Sequence, residues 1–297
     1  MAEIPQLYTC AGGGQRLMVD GRPYTLFAGE CHNSASGGRR AFADALDRAR
    51  ALGMNTVLAP VTWELLEPAE GEFDFGQVDM MLELARERGL RLGVLWFGAY
   101  KNAQCYYAPA WVKRDIERFR RAQMVPGQNK VRYAEFHNFE ITALSLYCEE
   151  TRAADAGAYA ALMAHLREVD AQDHTVILVQ VENECGQMVA AREHSPWADA
   201  AFAESVPTEL IEALAVDPTS LAPELAEALE AGAGSGSWNR FLASMPRRCL
   251  PPTTWLATWR RSPQRAAPSI RCPRPAIAGS TRVTSLGAFP RAVPTCA

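Results

Sequence analysis

The segment ILVQVENECG, residues 177–186, is a run of apolar residues that stops at two carboxylates, Glu182 and Glu184, separated by the amide of Asn183. Its apolar part is short and rich in β-branched residues, which is typical of a buried strand in a parallel sheet. The carboxyl ends of such strands meet at one edge of the sheet, where functional groups collect. Strand alternation predicts Glu182 and Glu184 on one side and Asn183 on the other.

Three earlier segments have the same character. Counted with the segment above, the predicted strands cover residues 24–29, 55–61, 90–97 and 174–181. None of them alternates between apolar and polar residues, which is the pattern of strands covered on both faces. The sequence therefore predicts a parallel sheet buried between helices.

Helical patterns lie between the predicted strands. Apolar residues recur at helical spacing in three stretches: Phe42, Leu46, Ala49 and Leu52; Val78, Met81, Leu82 and Ala85; Tyr159, Leu162, Met163 and Leu166. Gly53 and Gly89 follow the first two, at positions where a helix is expected to end. The order is β-α-β-α-β, then a long irregular segment, then α-β.

The residues after each strand distinguish a βα barrel from a dinucleotide-binding sheet. The first strand leads into GECHNSASGG, residues 29–38, rather than a Gly-x-Gly-x-x-Gly turn. AGGGQ, residues 11–15, follows no convincing strand and is not predicted to bind phosphate. Polar residues follow every strand: Glu30, His32 and Asn33; Thr62, Trp63 and Glu64; Trp96, Lys101 and Asn102; Glu182, Asn183 and Glu184. We predict an α/β fold of the (β/α)8 TIM-barrel type, with only its N-terminal half, about four βα units, present.

Composition narrows the classes of function. Residues 1–244 contain all 34 acidic residues and 21 of the 30 basic residues, a net charge of −13 that argues against nucleic acid as a partner. No apolar stretch reaches the length of a membrane helix, and the N-terminus lacks a signal-peptide pattern. The cysteines before residue 240 show no pairing or metal-type spacing, and the histidines form no ligand pattern. We expect a cytoplasmic protein with reduced thiols, no metal and no cofactor.

Aromatic residues gather beside the predicted strand ends, at Trp63, Trp96, Phe97, Tyr100, Tyr106, Tyr107 and Trp111. Each one alone is explained by loop anchoring. As a group they indicate a platform for the apolar faces of sugar rings, with Lys101, Asn102 and Glu64 available for hydroxyl groups. Two carboxyl groups flanking a sugar bond are the usual equipment of glycoside hydrolysis.

Three segments resemble the β-galactosidases of glycoside hydrolase families 35 and 42. NTVLAPVTWELLEPAEGEFDFG, residues 55–76, is similar to the second-strand segment of these families. VLWFGAYKNAQCYYAPAWV, residues 94–112, resembles the third-strand loop, and VQVENECG, residues 179–186, resembles the fourth-strand motif ending in Asn-Glu. In this order the resemblance covers roughly residues 20–215.

The resemblance implies retaining hydrolysis of terminal β-D-galactosides on a (β/α)8 barrel, with a β-galactoside or related oligosaccharide as partner. It implies Glu184 as acid/base and Asn183 as the contact to the sugar 2-hydroxyl. Glu182 is then a supporting residue, and the other candidate substrate-binding residues are Glu30, Trp63, Glu64, Trp96, Lys101 and Asn102. Homo-oligomers are one expectation for full-length relatives. Cys185 departs from the family 35 pattern, in which tyrosine often follows Asn-Glu.

The end of the chain has a different composition. The last 53 residues contain nine arginines, nine prolines and no acidic residue. We divide the chain into residues 1–240, the N-terminal part of a barrel, and residues 241–297, an Arg/Pro-rich tail that is non-native or disordered. A frameshift explains this composition; a basic arm that binds polyanions is the alternative.

The composition of the tail bears on catalysis. The nucleophile of a retaining enzyme is a second carboxylate, which in these families comes from a later strand, so this chain is expected to lack it. The alternative function is a non-catalytic carbohydrate-binding or interaction fragment.

Overall fold

The computed structural model describes residues 4–133, 139–185, 190, 192–217, 219, 221–230 and 236–238. At its centre is a four-stranded parallel sheet in the order β4-β5-β6-β9, which follows the chain. These strands are Ala28–Glu30 (β4), Thr56–Thr62 (β5), Arg91–Phe97 (β6) and Val176–Gln180 (β9). All four predicted strands are present.

Helices connect the strands of the sheet. A 3-10 turn, Ala35–Gly37, and helix α1, Arg39–Ala51, lie between β4 and β5, and α2, Trp63–Leu66, and α3, Gly76–Glu87, lie between β5 and β6. The long segment after β6 contains α4, Ala110–Arg114, and an antiparallel pair, β7 (Val131–Tyr133) with β8 (Phe139–Ile141). Helix α5, Glu149–Val169, then leads to β9.

The predicted helical stripes form most of the core between helices and sheet. All their residues are buried or partly buried in one cluster except Leu52, which is 67% exposed. Leu52 lies outside because α1 ends at Ala51 and Leu52 is its C-terminal cap. Gly53 and Gly89 have φ values of 75° and 64°, a left-handed conformation that glycine adopts readily where a helix ends.

The first strand of the sheet is shorter than predicted, because Asn55 occupies the backbone groups that would extend it. The Asn55 side chain donates to the Thr25 carbonyl (2.8 Å) and accepts from the Phe27 amide (3.0 Å). Residues 24–27 therefore run beside β5 without joining it as a strand, and Phe27 is 55% exposed.

The N-terminal residues form an antiparallel sheet that the sequence did not predict. Its strands are Gln6–Thr9 (β1), Gln15–Val19 (β2) and Arg22–Pro23 (β3), in the order β1-β2-β3. AGGGQ supplies the turn between β1 and β2, in which the Gly13 amide donates to the Cys10 carbonyl (2.9 Å). These glycines therefore form the turn of a β-hairpin.

The two edges of the parallel sheet differ from its centre. Strands β5 and β6 are buried along nearly their whole length, whereas three of the five residues of β9 are only half-buried. In the described part of the chain β9 pairs only with β6, so the sheet is open there and does not close into a barrel. The parallel βα arrangement confirms the coarse prediction, and the closed barrel stays a prediction.

Helices α6 (Pro196–Ala203), α7 (Thr208–Ala215) and α8 (Pro223–Glu230) follow β9. They pack in a second apolar cluster around Phe202 and Trp238. The proposed tail, residues 241–297, lies outside the described residues.

Candidate functional site

Two turns meet at the carboxyl end of the parallel sheet. One follows β6 and the other follows β9. They contain four of the six described non-glycine residues with positive φ, which are Asn102, Ala103, Glu182 and Glu184. Such conformations are unfavourable for residues with a Cβ and collect at functional sites, where surrounding contacts enforce them.

The turn after β6 is a tight reversal at residues 101–104. The Lys101 amide donates to the Gln104 carbonyl (2.8 Å), and the Gln104 amide donates back to Lys101 (3.1 Å). Asn102 and Ala103 at its centre have φ values of 53° and 57°, as a type I′ turn requires. The Ala103 amide donates to the Glu184 carbonyl (3.1 Å), which joins this turn to the one after β9.

Lys101 is the centre of the charge arrangement. Its side chain is buried, with Nζ 4.7 Å from the centre of the Phe97 ring, and it donates to Oδ1 of Asn183 (2.8 Å). Burial lowers the pKa of Lys101, and the nearby carboxylates of Glu184 and Glu30 oppose this shift. The structure thus places three predicted site residues, Asn183, Glu184 and Glu30, near the buried amine of Lys101. Both glutamates are exposed.

Glu182 and Glu184 do not share a side of a strand, so the alternation prediction is wrong. Strand β9 ends at Gln180, and the positive φ values of both glutamates turn their side chains away from the strand pattern. The Glu182 carboxylate accepts from the Ala99 amide (3.0 Å) and the Tyr100 amide (2.9 Å). Glu182 therefore faces the protein interior, and Glu184 is exposed.

Asp155 is a partner of Glu182 that the sequence analysis missed. It lies on α5 and accepts from Nε1 of Trp96 (3.0 Å), and its carboxyl group lies beside that of Glu182 next to Gly98. Burial raises the pKa of both carboxyl groups, and the charge of Asp155 raises the pKa of Glu182 further. One sequence signal existed, because Asp155 lies four residues before Tyr159 and so places an acid on the apolar stripe of α5.

The large aromatic residues mostly form the framework beneath these turns. Trp63, Trp96, Phe97 and Tyr100 are fully buried and offer no surface to a ligand in this structure. Nε1 of Trp63 donates to the buried carboxylate of Glu67 (2.7 Å), and its ring packs edge-on against Trp111. Of the predicted platform, Tyr106 is exposed and Tyr107 and Trp111 are half-buried.

Two further predicted residues lie at the surface. Asn102 is exposed at the tip of the turn after β6. Glu64 is half-buried and pairs with Lys113, whose Nζ is 3.3 Å from Oε2 of Glu64 and also donates to the Tyr106 carbonyl (2.8 Å). Glu64 is thereby tied to the loop that carries Tyr106.

A second buried carboxylate holds the chain after β9 in place. Glu193 is fully buried and accepts from the hydroxyl groups of Ser145 (2.9 Å) and Ser195 and from Nε1 of Trp197 (2.8 Å). Burial raises the pKa of Glu193, and these hydrogen bonds oppose the shift. Ser195 also caps α6 by accepting from the Ala198 amide (3.2 Å).

No disulfide joins the five cysteines in the described residues, and Cys185 is buried. Within the part of the chain that the structure describes, no three or more His, Cys, Asp or Glu side chains are grouped so as to hold a metal ion. None of the described helices has both the length and the apolar character needed to cross a membrane.

Comparison with known proteins gives a family match for part of the chain. Residues 16–133 match the model of glycosyl hydrolases family 35. A β-galactosidase of Xanthomonas manihotis is 38% identical over 104 residues, 33% of this chain and 17% of that protein. A β-galactosidase of Macaca fascicularis is 31% identical over 112 residues, 36% of this chain and 16% of that protein. The matched segments thus span less than a fifth of these relatives.

Solved structures align with a larger share of the chain at lower sequence identity. A β-galactosidase from Marinomonas ef1 aligns with 60% of this chain and 24% of its own, at 14% identity and a TM-score of 0.43. An exo-β-1,4-mannosidase from an Opitutaceae bacterium aligns with 62% of this chain and 28% of its own, at 18% identity and a TM-score of 0.38. The sequence matches make the chain similar to β-galactosidases over about a third of its length.

Proposed function

We propose that this chain is part of a β-galactosidase-type glycoside hydrolase of carbohydrate metabolism, in which Glu184 is the acid/base in retaining hydrolysis of terminal β-D-galactosides. The observation that carries the proposal is the pair of joined turns at the carboxyl end of the sheet. In them Glu184 is exposed, while its neighbours Glu182 and Asn183 are held by hydrogen bonds. Residues 182–184 lie beyond the matched range 16–133, so their roles rest on this geometry and on the motif.

The contacts of Asn183 support a role in sugar binding. Lys101 donates to Oδ1 of Asn183, which fixes the orientation of the amide and directs its donor group, Nδ2, elsewhere. A sugar hydroxyl is a suitable acceptor for that donor. Exposed Glu30 and Asn102 supply further hydrogen-bonding groups near the same turns, and Tyr106 supplies an exposed ring.

The proposed chemistry assigns a proton transfer to Glu184. Its carboxyl group protonates the glycosidic oxygen as the bond to the leaving group breaks, and it later accepts a proton from the attacking water. The retaining route also requires a carboxylate nucleophile about 5–5.5 Å from the acid/base. We propose that this group belongs to a further βα unit, because residues 241–297 contain no carboxylate side chain.

The half-buried outer strand supports this proposal of further βα units. In a closed barrel each strand has two neighbours, whereas β9 pairs with β6 alone among the described residues. A further strand would cover the half-buried residues of β9 and complete the rim that carries Glu184. We propose a reducing compartment such as the cytoplasm, since the described residues contain no disulfide.

Calorimetry and a turnover assay on the purified chain test this function. We expect isopropyl β-thiogalactoside to bind more tightly than the gluco and manno analogues, with no hydrolysis of an aryl β-galactoside. If another reading frame downstream of codon 240 encodes further βα units, extending the chain with them should restore turnover. In that protein Glu184→Gln should lower kcat by about 10²–10⁴-fold, and Glu168→Gln, which removes an exposed acid from α5, should not.

Two results would count against the proposal. A folded chain that does not distinguish galactosides from the other sugars would remove the substrate assignment. An active extended protein that is indifferent to Glu184→Gln would remove the assigned acid/base. Binding of galactosides without turnover in any extended form would instead favour the non-catalytic alternative.

A further inference from the structure

Asp155 and Glu182 lie beneath the turn that carries Asn183 and Glu184. We propose that these two carboxyl groups share one proton and act together as positioning residues for that turn. The sharing of a proton is independent of the proposed function, and only the description of the turn as catalytic rests on it.

The first argument is the close contact between the two groups. A Cβ on Gly98 would lie 2.2 Å from Oδ1 of Asp155, 2.3 Å from Oε1 of Glu182 and 2.3 Å from Nε1 of Trp96. Polar atoms of three side chains thus surround the position that a Cβ of Gly98 would occupy. The residue has no side chain because the carboxyl pair occupies the space that a Cβ would need.

The second argument is the set of hydrogen bonds to each carboxyl group. Glu182 accepts one backbone amide on each oxygen, from Ala99 and Tyr100, and Asp155 accepts the indole N–H of Trp96. Oδ1 of Asp155 and Oε1 of Glu182 lie beside the same point of Gly98 and so are close to each other. Two ionised carboxylates in such contact would repel, since both contain only acceptors, whereas a proton on one of them supplies the donor that joins them.

The surrounding titratable groups do not replace that proton by a positive charge. Tyr100, whose amide binds Glu182, has a pKa raised by burial and by nearby Glu193, Cys185, Cys105 and Glu182. All of these groups are acids. The ammonium group of Lys101 donates to Asn183 and lies near Glu184 and Glu30. Its positive charge therefore interacts with the carboxylates of Glu184 and Glu30.

The pair holds a strained segment of backbone. Glu182 and Glu184 have φ values of 65° and 47°, a conformation that is unfavourable for residues with a Cβ unless the surroundings enforce it. Here the Glu182 side chain is fixed to residues 99 and 100, and Nε2 of Gln180 donates to the Glu182 carbonyl (2.8 Å). Ionisation of both carboxyl groups would separate them and release Glu182, and with it the orientation of Glu184.

Infrared spectroscopy of the purified chain tests the shared proton without any substrate. At pH 7 the folded wild type should show the carbonyl stretch of a protonated carboxylic acid. Asp155→Asn keeps the side-chain shape and should reduce the amplitude of that band, as should Glu182→Gln. Glu168→Gln should leave it unchanged. Any signal from Glu193, a separate buried carboxyl, should persist in all three variants.

Amide hydrogen exchange tests the positioning role. Glu182→Gln should speed exchange at the Ala99 and Tyr100 amides by about tenfold or more, and Asp155→Asn should speed it less, because Glu182 can still accept both amides. Raising the pH of the wild type until the infrared band disappears should also speed exchange at these two amides more than the base-catalysed increase shown by reference amides of α3 in the same protein.

Either of two results would overturn the inference. One is a folded wild type with no acid band at pH 7. The other is a band that Asp155→Asn leaves at full amplitude. If the variants do not fold, the wild-type pH series alone decides, because the proposal requires loss of the band and faster exchange to occur together. Failure of galactoside binding would refute the proposed function and leave these outcomes untouched.

Discussion

Replacing Gly98 by alanine is expected to lower the free energy of unfolding by about 2.5–6 kcal/mol. The new methyl group would lie within 2.3 Å of polar atoms of Asp155, Glu182 and Trp96, where ordinary contacts are 3.4–4 Å. Overpacking of this kind costs about 1–3 kcal/mol, and each hydrogen bond to a charged group that is broken costs about 1.5–3 kcal/mol. The estimate takes one overpacked site and one broken bond, since the atoms can move apart in part.

Gly157 offers a matched control within the same protein. It lies inside α5, and a Cβ there would meet nothing within 4 Å. Gly157→Ala should therefore stabilise the protein by about 0.5–1 kcal/mol through higher helix propensity. Urea unfolding followed by tryptophan fluorescence measures both variants.

A double-mutant cycle separates the carboxyl pair from general crowding. In an Asp155→Ala background one of the three contacts of the new methyl group is gone. Gly98→Ala should therefore lower the free energy of unfolding by at least about 1 kcal/mol less than it does in the wild type. If Gly98→Ala changes the unfolding free energy by less than about 0.5 kcal/mol, or if the cycle shows no coupling, the packing of the pair against Gly98 is refuted.

Two other predictions concern buried carboxyl groups. Because the folded state raises the pKa values of Asp155 and Glu182, this pair holds more protons in the folded than in the unfolded state. Its contribution to stability is therefore fully present below the ordinary carboxyl pKa and is lost as the pH rises toward the raised values. For one proton, the slope of the unfolding free energy against pH is about 1.4 kcal/mol per pH unit. Asp155→Asn should reduce this slope. An unchanged slope, measured by urea unfolding at several pH values, would contradict the pairing. Glu193→Gln places an amide donor against the donors of Ser145, Ser195 and Trp197. It should lower the free energy of unfolding by about 1.5–3 kcal/mol, measured by thermal or urea unfolding. Glu168→Gln should change this free energy by less than about 0.5 kcal/mol. Equal stability of these two variants would refute the role of Glu193.

The framework of the fold could be predicted because its signal is local. Apolar periodicity identifies α1, α3 and α5, and runs of buried residues identify the four parallel strands. The shortened β4 could not be predicted, since it depends on the side chain of Asn55 bonding to the backbone of residues 25 and 27. The N-terminal hairpin was missed because its strands are mostly exposed or half-buried and lack the apolar pattern of the others.

The candidate site could be predicted in location and only partly in arrangement. Polar residues after β6 and β9 correctly indicated that Lys101, Asn183 and Glu184 come together. Alternation failed for Glu182 because it assumes an extended strand, whereas the positive φ of this residue directs its side chain inward. Its interaction with Asp155 joins residues 27 positions apart on different elements, which only the packing of α5 against the sheet determines.

The aromatic residues illustrate a second limit of sequence reasoning. A tryptophan beside a strand end can stack on a ligand or fill the core, and its neighbours in sequence do not distinguish the two. Trp63 and Trp96 are fully buried, and each donates its Nε1–H to a carboxylate of the protein. Neither ring therefore needs a ligand to cover it or to accept its N–H.

Covalent labelling with an epoxypropyl β-D-galactoside tests the central claim, that Glu184 faces the scissile bond of a bound galactoside. A carboxylate positioned there opens the epoxide and forms an ester that mass spectrometry can locate. The account predicts one label per chain, on Glu184, blocked by excess galactose, absent in Glu184→Gln and undiminished in Glu168→Gln. A folded chain that is labelled equally in Glu184→Gln and the wild type, or that is not labelled at all, would contradict it.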